Sequence, residues 1–324
     1  MSDPIDWAPT ASLAALKLRA EVLFRIRAFF ATRSVLEVET PLLSQYGTTD
    51  PHIDSLQVSS SHLSQSRYLH TSPEFAMKRL LAAGSGAIYQ ICKVFRDAEL
   101  GRRHNPEFTL LEWYRPGFDQ WQLMAEVDEL LRHLLPAPLG ASLYLRYEQA
   151  FARYLEIDPL HAAVPALARL AQGSGIDIAM ESSEAQRGDW LDLLMSQVIE
   201  PQLPKDRPVF ITHFPATQAS LARLDPQDPR FAHRFELFLG GMELANGFHE
   251  LTDAREQAKR FQAERVLRRA EGRQDVPEDL HLLAAMQAGL PDSCGVAVGV
   301  DRLLMLALGS DDIADVIAFS YPRA

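Results

Sequence analysis

Apolar side chains recur at helical spacing from Leu13 onward. Leu13, Leu16, Ala20 and Leu23 form a stripe that Val22, Ile26 and Phe29 widen, and the period predicts a helix over residues 13–30 that ends near Arg33-Ser34. Residues 35–43 read as a short strand stopped by Pro41. Residues 53–58 and 68–70 read as strands around a polar loop at 59–66. Thr71-Ser72-Pro73-Glu74 opens a helix through Leu81, with Ser72 as N-cap, Pro73 at the first helical position and Glu74 at the positive end of the dipole. Residues 91–99 and 103–114 carry β-branched and aromatic interiors and read as two strands joined by a basic loop. A second long helix covers 119–135 and stops at Pro136 and Pro138. Residues 141–208 read as helical and less patterned, with Gly173-Ser174-Gly175 as a break. Strands are expected at 209–212 and 235–239, and partly extended chain at 243–250, where Asn246-Gly247 invites a bulge. Helices follow at 252–271 and 277–287. An apolar strand with two glycines, 295–299, then runs straight into an apolar helix. Strands linked by hairpins, or separated by helices at long intervals, point to an α+β fold with an antiparallel sheet flanked by helices. The expected organisation is one domain over 1–324, with 137–208 as a helical insertion.

Composition narrows the class. At 324 residues, 47% hydrophobic and 23% charged, the chain has the make-up of a soluble globule. No run approaches the roughly 18 apolar residues a membrane span needs, and Met1-Ser2-Asp3-Pro4-Ile5-Asp6-Trp7 carries no basic-then-apolar signal segment. Two cysteines, Cys92 and Cys294, read as buried free thiols in a reducing compartment, and no Cys/His spacing suggests zinc. Cytoplasmic residence is the simplest expectation. The formal net charge of −11 argues against extensive nucleic-acid contact, which rests on cations neutralising phosphates.

Three stretches concentrate chemistry. The first is the basic loop between the paired strands, where Arg102, Arg103 and His104 follow Arg96; a guanidinium fork suits phosphate. The second is Gly240-Gly241-Met242-Glu243-Leu244-Ala245-Asn246-Gly247-Phe248-His249-Glu250-Leu251. Two carboxylates and an Asn among apolar residues suit a divalent cation or an ammonium group, and Mg²⁺ with nucleotide is typically held through one or two carboxylates plus phosphate oxygens. The third is Gly295-Val296-Ala297-Val298-Gly299-Val300-Asp301-Arg302. Arg302 falls in the first turn of a helix, where the dipole is positive, and an anion such as a nucleotide phosphate would resolve that conflict.

At these stretches the sequence resembles the class II aminoacyl-tRNA synthetases, specifically their lysyl branch. Residues 35–43 look like the first, dimer-forming motif, with Pro41 its fixed proline. Residues 94–113 look like the second motif and 295–302 like the third. The Gly-Met-Glu-Leu-Ala-Asn-Gly-Phe-His-Glu-Leu run resembles the lysyl signature before the third. Only residues 1–12 precede the first predicted helix, so the anticodon-binding barrel of the lysyl synthetases is expected to be missing and tRNA binding is not expected. Trp7-Ala8-Pro9, Thr71-Ser72-Pro73-Glu74, His104-Asn105-Pro106-Glu107-Phe108 and Asn246-Gly247-Phe248-His249-Glu250-Leu251 resemble the shortened synthetase paralogues that attach (R)-β-lysine to elongation factor P.

The resemblance implies an ATP-dependent, AMP-forming ligase, a homodimer, with Mg²⁺ accompanying the nucleotide. It makes Arg96 and Arg302 the catalytic cations. It gives ATP the residues Arg96, Asp97, Ala98, His104, Asn105, Phe108, Glu243, Leu244, Gly299 and Arg302. Phe108 would stack on adenine, and His104 and Asn105 would hold the outer phosphates or the folded-back loop. Ser72, Pro73, Glu74, Tyr114 and Glu250 would hold the diamino acid, and Glu243 with Glu250 the Mg²⁺. Sequence leaves α-lysine and β-lysine open. It also leaves open a free-standing ligase charging a tRNA or another acceptor, and a silent paralogue with a regulatory role. One position departs from the pattern: the second motif of the family reads Arg-x-Glu, and here Ala98 stands where the Glu reads the adenine amino group. Glu99 can substitute only if the chain already turns there; the expectation is that backbone groups read the base.

Overall fold

The computed structural model describes residues 7–324 apart from 63–64, 179, 181–182 and 184–185. Parts of the predicted loop at 59–66 and of the predicted helical stretch therefore lie outside the described residues. The chain divides into two compact units, Met1–Pro136 with Glu250–Ala324, and Ala137–His249.

In chain order the first unit begins with helix α1 (Leu13–Ala31), whose N-cap Ser12 accepts a hydrogen bond from the Ala15 amide. Short strands β1 (Leu36–Glu37), β2 (Leu43–Ser44), β3 (Gln57–Val58) and β4 (Arg67–Leu69) follow, then α2 (Glu74–Ala82), β5 (Ile88–Phe95), β6 (Glu107–Pro116) and α3 (Gln120–Leu134). The second unit holds β7 (Leu143–Arg146), α4 (Tyr147–Leu155), α5 (Val164–Gly173), α6 (Arg187–Leu194), β8 (Val209–Pro215), β9 (Phe231–Leu239) and β10 (Met242–His249). The chain then returns to the first unit with α7 (Ala254–Ala270), α8 (Leu280–Gly289), β11 (Ser293–Gly299) and α9 (Val300–Leu308).

In the first unit the strands run in the order β1-β5-β6-β11, with β2-β4-β3 as a separate small sheet. The β5–β6 and β6–β11 pairs are antiparallel, and β1 joins β5 in parallel. In the second unit the order is β10-β9-β8-β7, antiparallel except for the parallel β7–β8 pair. The sheets are thus mostly antiparallel and flanked by helices, as the hydrophobic pattern predicts. Trp113 and Phe30 are wholly buried in the first unit, and Phe30 stacks on Tyr89 at 4.5 Å. The second unit has its own core around Tyr147, Phe151, Trp190, Leu194 and Phe214.

Four local expectations are corrected. The strand at 35–43 survives only as β1 and β2, because Pro41 cannot donate to a ladder. Helix α2 starts at Glu74 with Pro73 as its cap residue, so Ser72 and Pro73 each sit one step further out than expected. The stretch 141–208 contains β7, whose partner β8 lies about sixty residues on in the chain. The bulge in β10 falls between Glu243 and Ala245 rather than at Asn246-Gly247. Gly247 instead lies flat against the Phe235 ring, where a Cβ would collide.

Candidate active site

Strand pairing gathers one cluster at one end of β5, β6 and β11. Val94 pairs with Phe108, and Gly299 pairs with Leu110 two residues further along the same strand. Just past β5, the Arg96 amide donates to the Pro106 carbonyl at 2.9 Å. The Arg96 guanidinium lies 5.1 Å from the Phe108 ring centroid, a cation–π contact. Arg302, in the first turn of α9, approaches His104 of the basic loop, with Nη2 2.8 Å from Nε2. Arg96, His104, Phe108, Gly299 and Arg302 are therefore brought together. Arg96 Nε is buried without an acceptor among the described residues. Buried donors are almost always satisfied, and a phosphate oxygen is the acceptor that this position suits. Asn105 is buried and its amide is occupied by backbone: Nδ2 donates to the Glu107 carbonyl and Oδ1 accepts from the Tyr321 amide. It fastens the loop to the C-terminal end of the chain.

The chain turns where Ala98 replaces the expected Glu. Strand β5 ends at Phe95, and Ala98 adopts a left-handed φ of 61°. The turn carries Glu99 back toward Arg96, with Oε1 3.5 Å from Nη1. Asp97 caps its neighbour, accepting from the Ala98 amide.

Behind Arg302, the first turn of α9 is anchored from two directions. Asp301 is 2% exposed, pairs with Arg19 of α1 and accepts from the Thr109 amide at 2.6 Å. A carboxylate at a helix N-terminus is favourable and offsets the neighbouring Arg302.

A second cluster is acidic and lies between α2, β6 and the residues that follow β10. Glu112 and Tyr114 alternate with Trp113, so they share one face of β6. Glu112 accepts from the Ser72 hydroxyl and from the Tyr114 hydroxyl, both at 2.7 Å. Ser72 Oγ also accepts from the Glu74 amide at 2.9 Å, so it starts α2 and orients Glu112 together. Lys78 Nζ lies 2.6 Å from Glu74 Oε1 and 2.6 Å from Glu250 Oε2. Gly295, opposite Tyr114 on β11, leaves room: a Cβ there would meet the Tyr114 ring and come within 2.6 Å of Glu250 Oε1.

Burial dominates the titration of this recess. It raises the Glu112 carboxyl to about 7, aided by the charge of Glu74 and opposed by the two hydroxyl donors. It raises the Tyr114 phenol well above its usual range. Burial also raises Glu250, to about 8, against the pull of Lys78. The Lys78 ammonium is held above its ordinary value, because attraction to Glu250 and Glu74 outweighs its own burial. The ammonium that lies 2.6 Å from each carboxylate opposes that rise at Glu250.

Of the residues expected to hold the diamino acid, Ser72, Glu74, Tyr114 and Glu250 meet here, with Pro73 beside them at the start of α2. Lys78 and Glu112 were not anticipated. The signals were present: Lys78 stands four residues after Glu74 on one helix face, and Glu112 two residues before Tyr114 on one strand face.

Glu243 and Leu244 lie on β10 in the second unit. Glu243 is half-buried beside the Arg234–Glu236 ion pair, and its charge helps push Glu236 up. Among the described residues no three His, Cys, Asp or Glu side chains converge as a metal-ligand cluster. A single carboxylate such as Glu243 fits Mg²⁺ that takes its other ligands from phosphate and water. Glu250 fits it less well, since Lys78 holds its carboxylate. Cys294 is buried and its thiol donates to the Phe118 carbonyl, whereas Cys92 is only partly buried, and the two are not joined in a disulfide.

The chain matches the family described as tRNA synthetases class II (D, K and N) over residues 4–323. Its curated relatives include proteins of Enterobacter sp. (strain 638), Erwinia tasmaniensis and Salmonella arizonae, each named elongation factor P–(R)-β-lysine ligase. Each is 51% identical to this chain, with both chains covered end to end.

Proposed function

Because this chain belongs to the class II tRNA synthetases of the D, K and N group, we propose that it activates (R)-β-lysine with ATP and transfers it to a lysine of elongation factor P. The observation that carries this reading is the buried recess of Glu74, Glu112 and Glu250. A ligand with ammonium groups suits such a recess, and a neutral side chain brings its carboxylates no opposite charge beyond that of Lys78. The names of full-length relatives at 51% identity favour the same reaction and the same acceptor. They do not favour tRNA charging or a silent paralogue.

Two steps follow. A carboxylate oxygen of β-lysine attacks the α-phosphorus of ATP, the bond to the β-phosphate breaks, and pyrophosphate leaves. The ε-amine of the acceptor lysine then attacks the acyl carbon, AMP leaves, and the amine gives up a proton as the amide forms. Neither step uses a nucleophile from this protein. Its residues supply position and charge: Arg96 at the α-phosphate and reacting carboxylate, Arg302 and His104 at the outer phosphates, Phe108 against the base. Mg²⁺ would neutralise phosphate charge when bound; Glu243, the carboxylate that the resemblance gives it, lies in the second unit.

The resemblance further supports a homodimer, and Leu36, Leu42 and Leu43, which flank Pro41, are 57%, 40% and 42% exposed. Light scattering at working concentration reads that state directly. Cytoplasmic residence fits a modifier of a translation factor. Among the described residues no helix is long and apolar enough to cross a membrane. ATP–pyrophosphate exchange tests the first step. Exchange that requires (R)-β-lysine is expected; none with any amino acid would contradict the reading.

A further inference from the structure

Lys78 is 2% exposed, a position lysine almost never takes unless paired. Its ammonium bridges carboxylates from two parts of the chain, Glu74 one helical turn away and Glu250 just past β10. Helix α8, which packs against α2, brings no carboxylate to this point: its sequence is LHLLAAMQAG. The neighbouring charges are thus the three carboxylates of the recess, with the Tyr114 hydroxyl beside them. A purely structural requirement does not explain a lysine here, because well-packed apolar residues replace buried ion pairs at little or no cost.

We infer that Lys78 is a positioning residue for the diamino acid: its ammonium keeps Glu74 and Glu250 aimed and sets the charge of the recess. Lys78 Nζ holds one oxygen of each of these carboxylates at 2.6 Å, which fixes where both can meet the ammonium groups of a diamino acid. Without Lys78 both carboxylates lose that resident partner. Unpaired buried carboxylates swing away or take up a proton, and in both cases an acceptor for the substrate is lost. This inference rests on the proposed function and names a residue that helps define its substrate class.

The test compares the wild type with Lys78→Met, which keeps the stem and removes the charge, and Lys78→Arg, which keeps the charge. Circular dichroism checks folding, and ATP–pyrophosphate exchange gives KM for (R)-β-lysine and for ATP separately. Lys78→Met is expected to raise KM for β-lysine about tenfold or more, because it leaves charges uncompensated. KM for ATP should stay within about twofold, since the nucleotide cluster is untouched. Lys78→Arg should hold KM for β-lysine within about threefold of the wild type. A folded Lys78→Met with unchanged or lower KM for β-lysine overturns the inference, as does an equal rise for ATP. So does a folded Lys78→Arg that behaves like Lys78→Met. If Lys78→Met does not fold, Lys78→Arg decides by the same criterion. A wild type that shows no exchange with (R)-β-lysine ends the proposed reaction instead. Calorimetric binding of (R)-β-lysine and α-lysine then makes the same comparison, and absence of binding by either overturns the inference too.

Discussion

Arg302 and His104 sit 2.8 Å apart, linking the first turn of α9 to the loop that joins β5 to β6. A guanidinium can only donate, so the ring nitrogen facing it is the acceptor and the imidazole is neutral at that atom. The contact joins two groups proposed to meet the outer phosphates, and on β6 Phe108 carries the Arg96 guanidinium 5.1 Å from its ring centroid.

Arg96 carries the largest single expectation. Removing a fixed donor aimed at developing charge typically costs about 10²–10³ in rate. Arg96→Ala should lower kcat for adenylate formation by that order. Arg96→Lys should not restore it, because a point charge does not reproduce the fork. Single-turnover measurement of pyrophosphate release reads both.

The recess predicts a pH dependence. Burial raises Glu112 to about 7, and only its ionised form offers an ammonium an opposite charge. The profile of kcat/KM for β-lysine, which reports the free enzyme, should rise through about 7 and then level, and Glu112→Gln should remove that limb. For stability the sign is opposite. A carboxyl raised in the folded state holds its proton longer than in the unfolded chain. Stability without substrate therefore falls as pH rises from the ordinary carboxyl range through about 7. Denaturant titrations across that window check the second statement.

Gly295 offers a steric test of the same recess. Gly295→Ala drives a methyl into the Tyr114 ring and toward Glu250 Oε1. Binding of β-lysine should fall sharply while ATP binding is retained, measured by calorimetry for each ligand. Equal loss of both would place the defect in folding instead.

Asp301 anchors α9 through Arg19 and the Thr109 amide. Breaking a buried pair by removing one partner costs on the order of 3–5 kcal/mol. Asp301→Ala should lower unfolding free energy by roughly that amount in urea titrations. Activity should fall as well, because Arg302 loses its mooring.

How much of this was legible in the sequence differs by element. The paired strands β5 and β6, the strand-to-helix junction at Gly299 and the long helix α3 were readable, because each follows from local alternation or periodicity. Strand β7 was not, since four residues paired to a distant strand carry little local pattern. Lys78 reads in sequence as one more charge on an amphipathic helix; only the arrival of Glu250 from far along the chain makes it a buried bridge. The turn at Ala98 answers the condition that sequence set for Glu99, which now lies beside Arg96 rather than on the opposite strand face.

The same turn bears on base choice. With Ala98 lacking a carboxylate and Glu99 engaged toward Arg96, backbone groups are expected to read adenine. ATP should then be strongly preferred over GTP in adenylate formation, and comparable use of the two would contradict this.

The most direct measurement is intact-mass analysis of elongation factor P after incubation with this protein, ATP and (R)-β-lysine. A gain of one β-lysyl group on a single lysine, dependent on ATP and abolished by Arg96→Ala, is the predicted result. An unmodified factor, alongside acid-labile label appearing on bulk tRNA, would contradict the account.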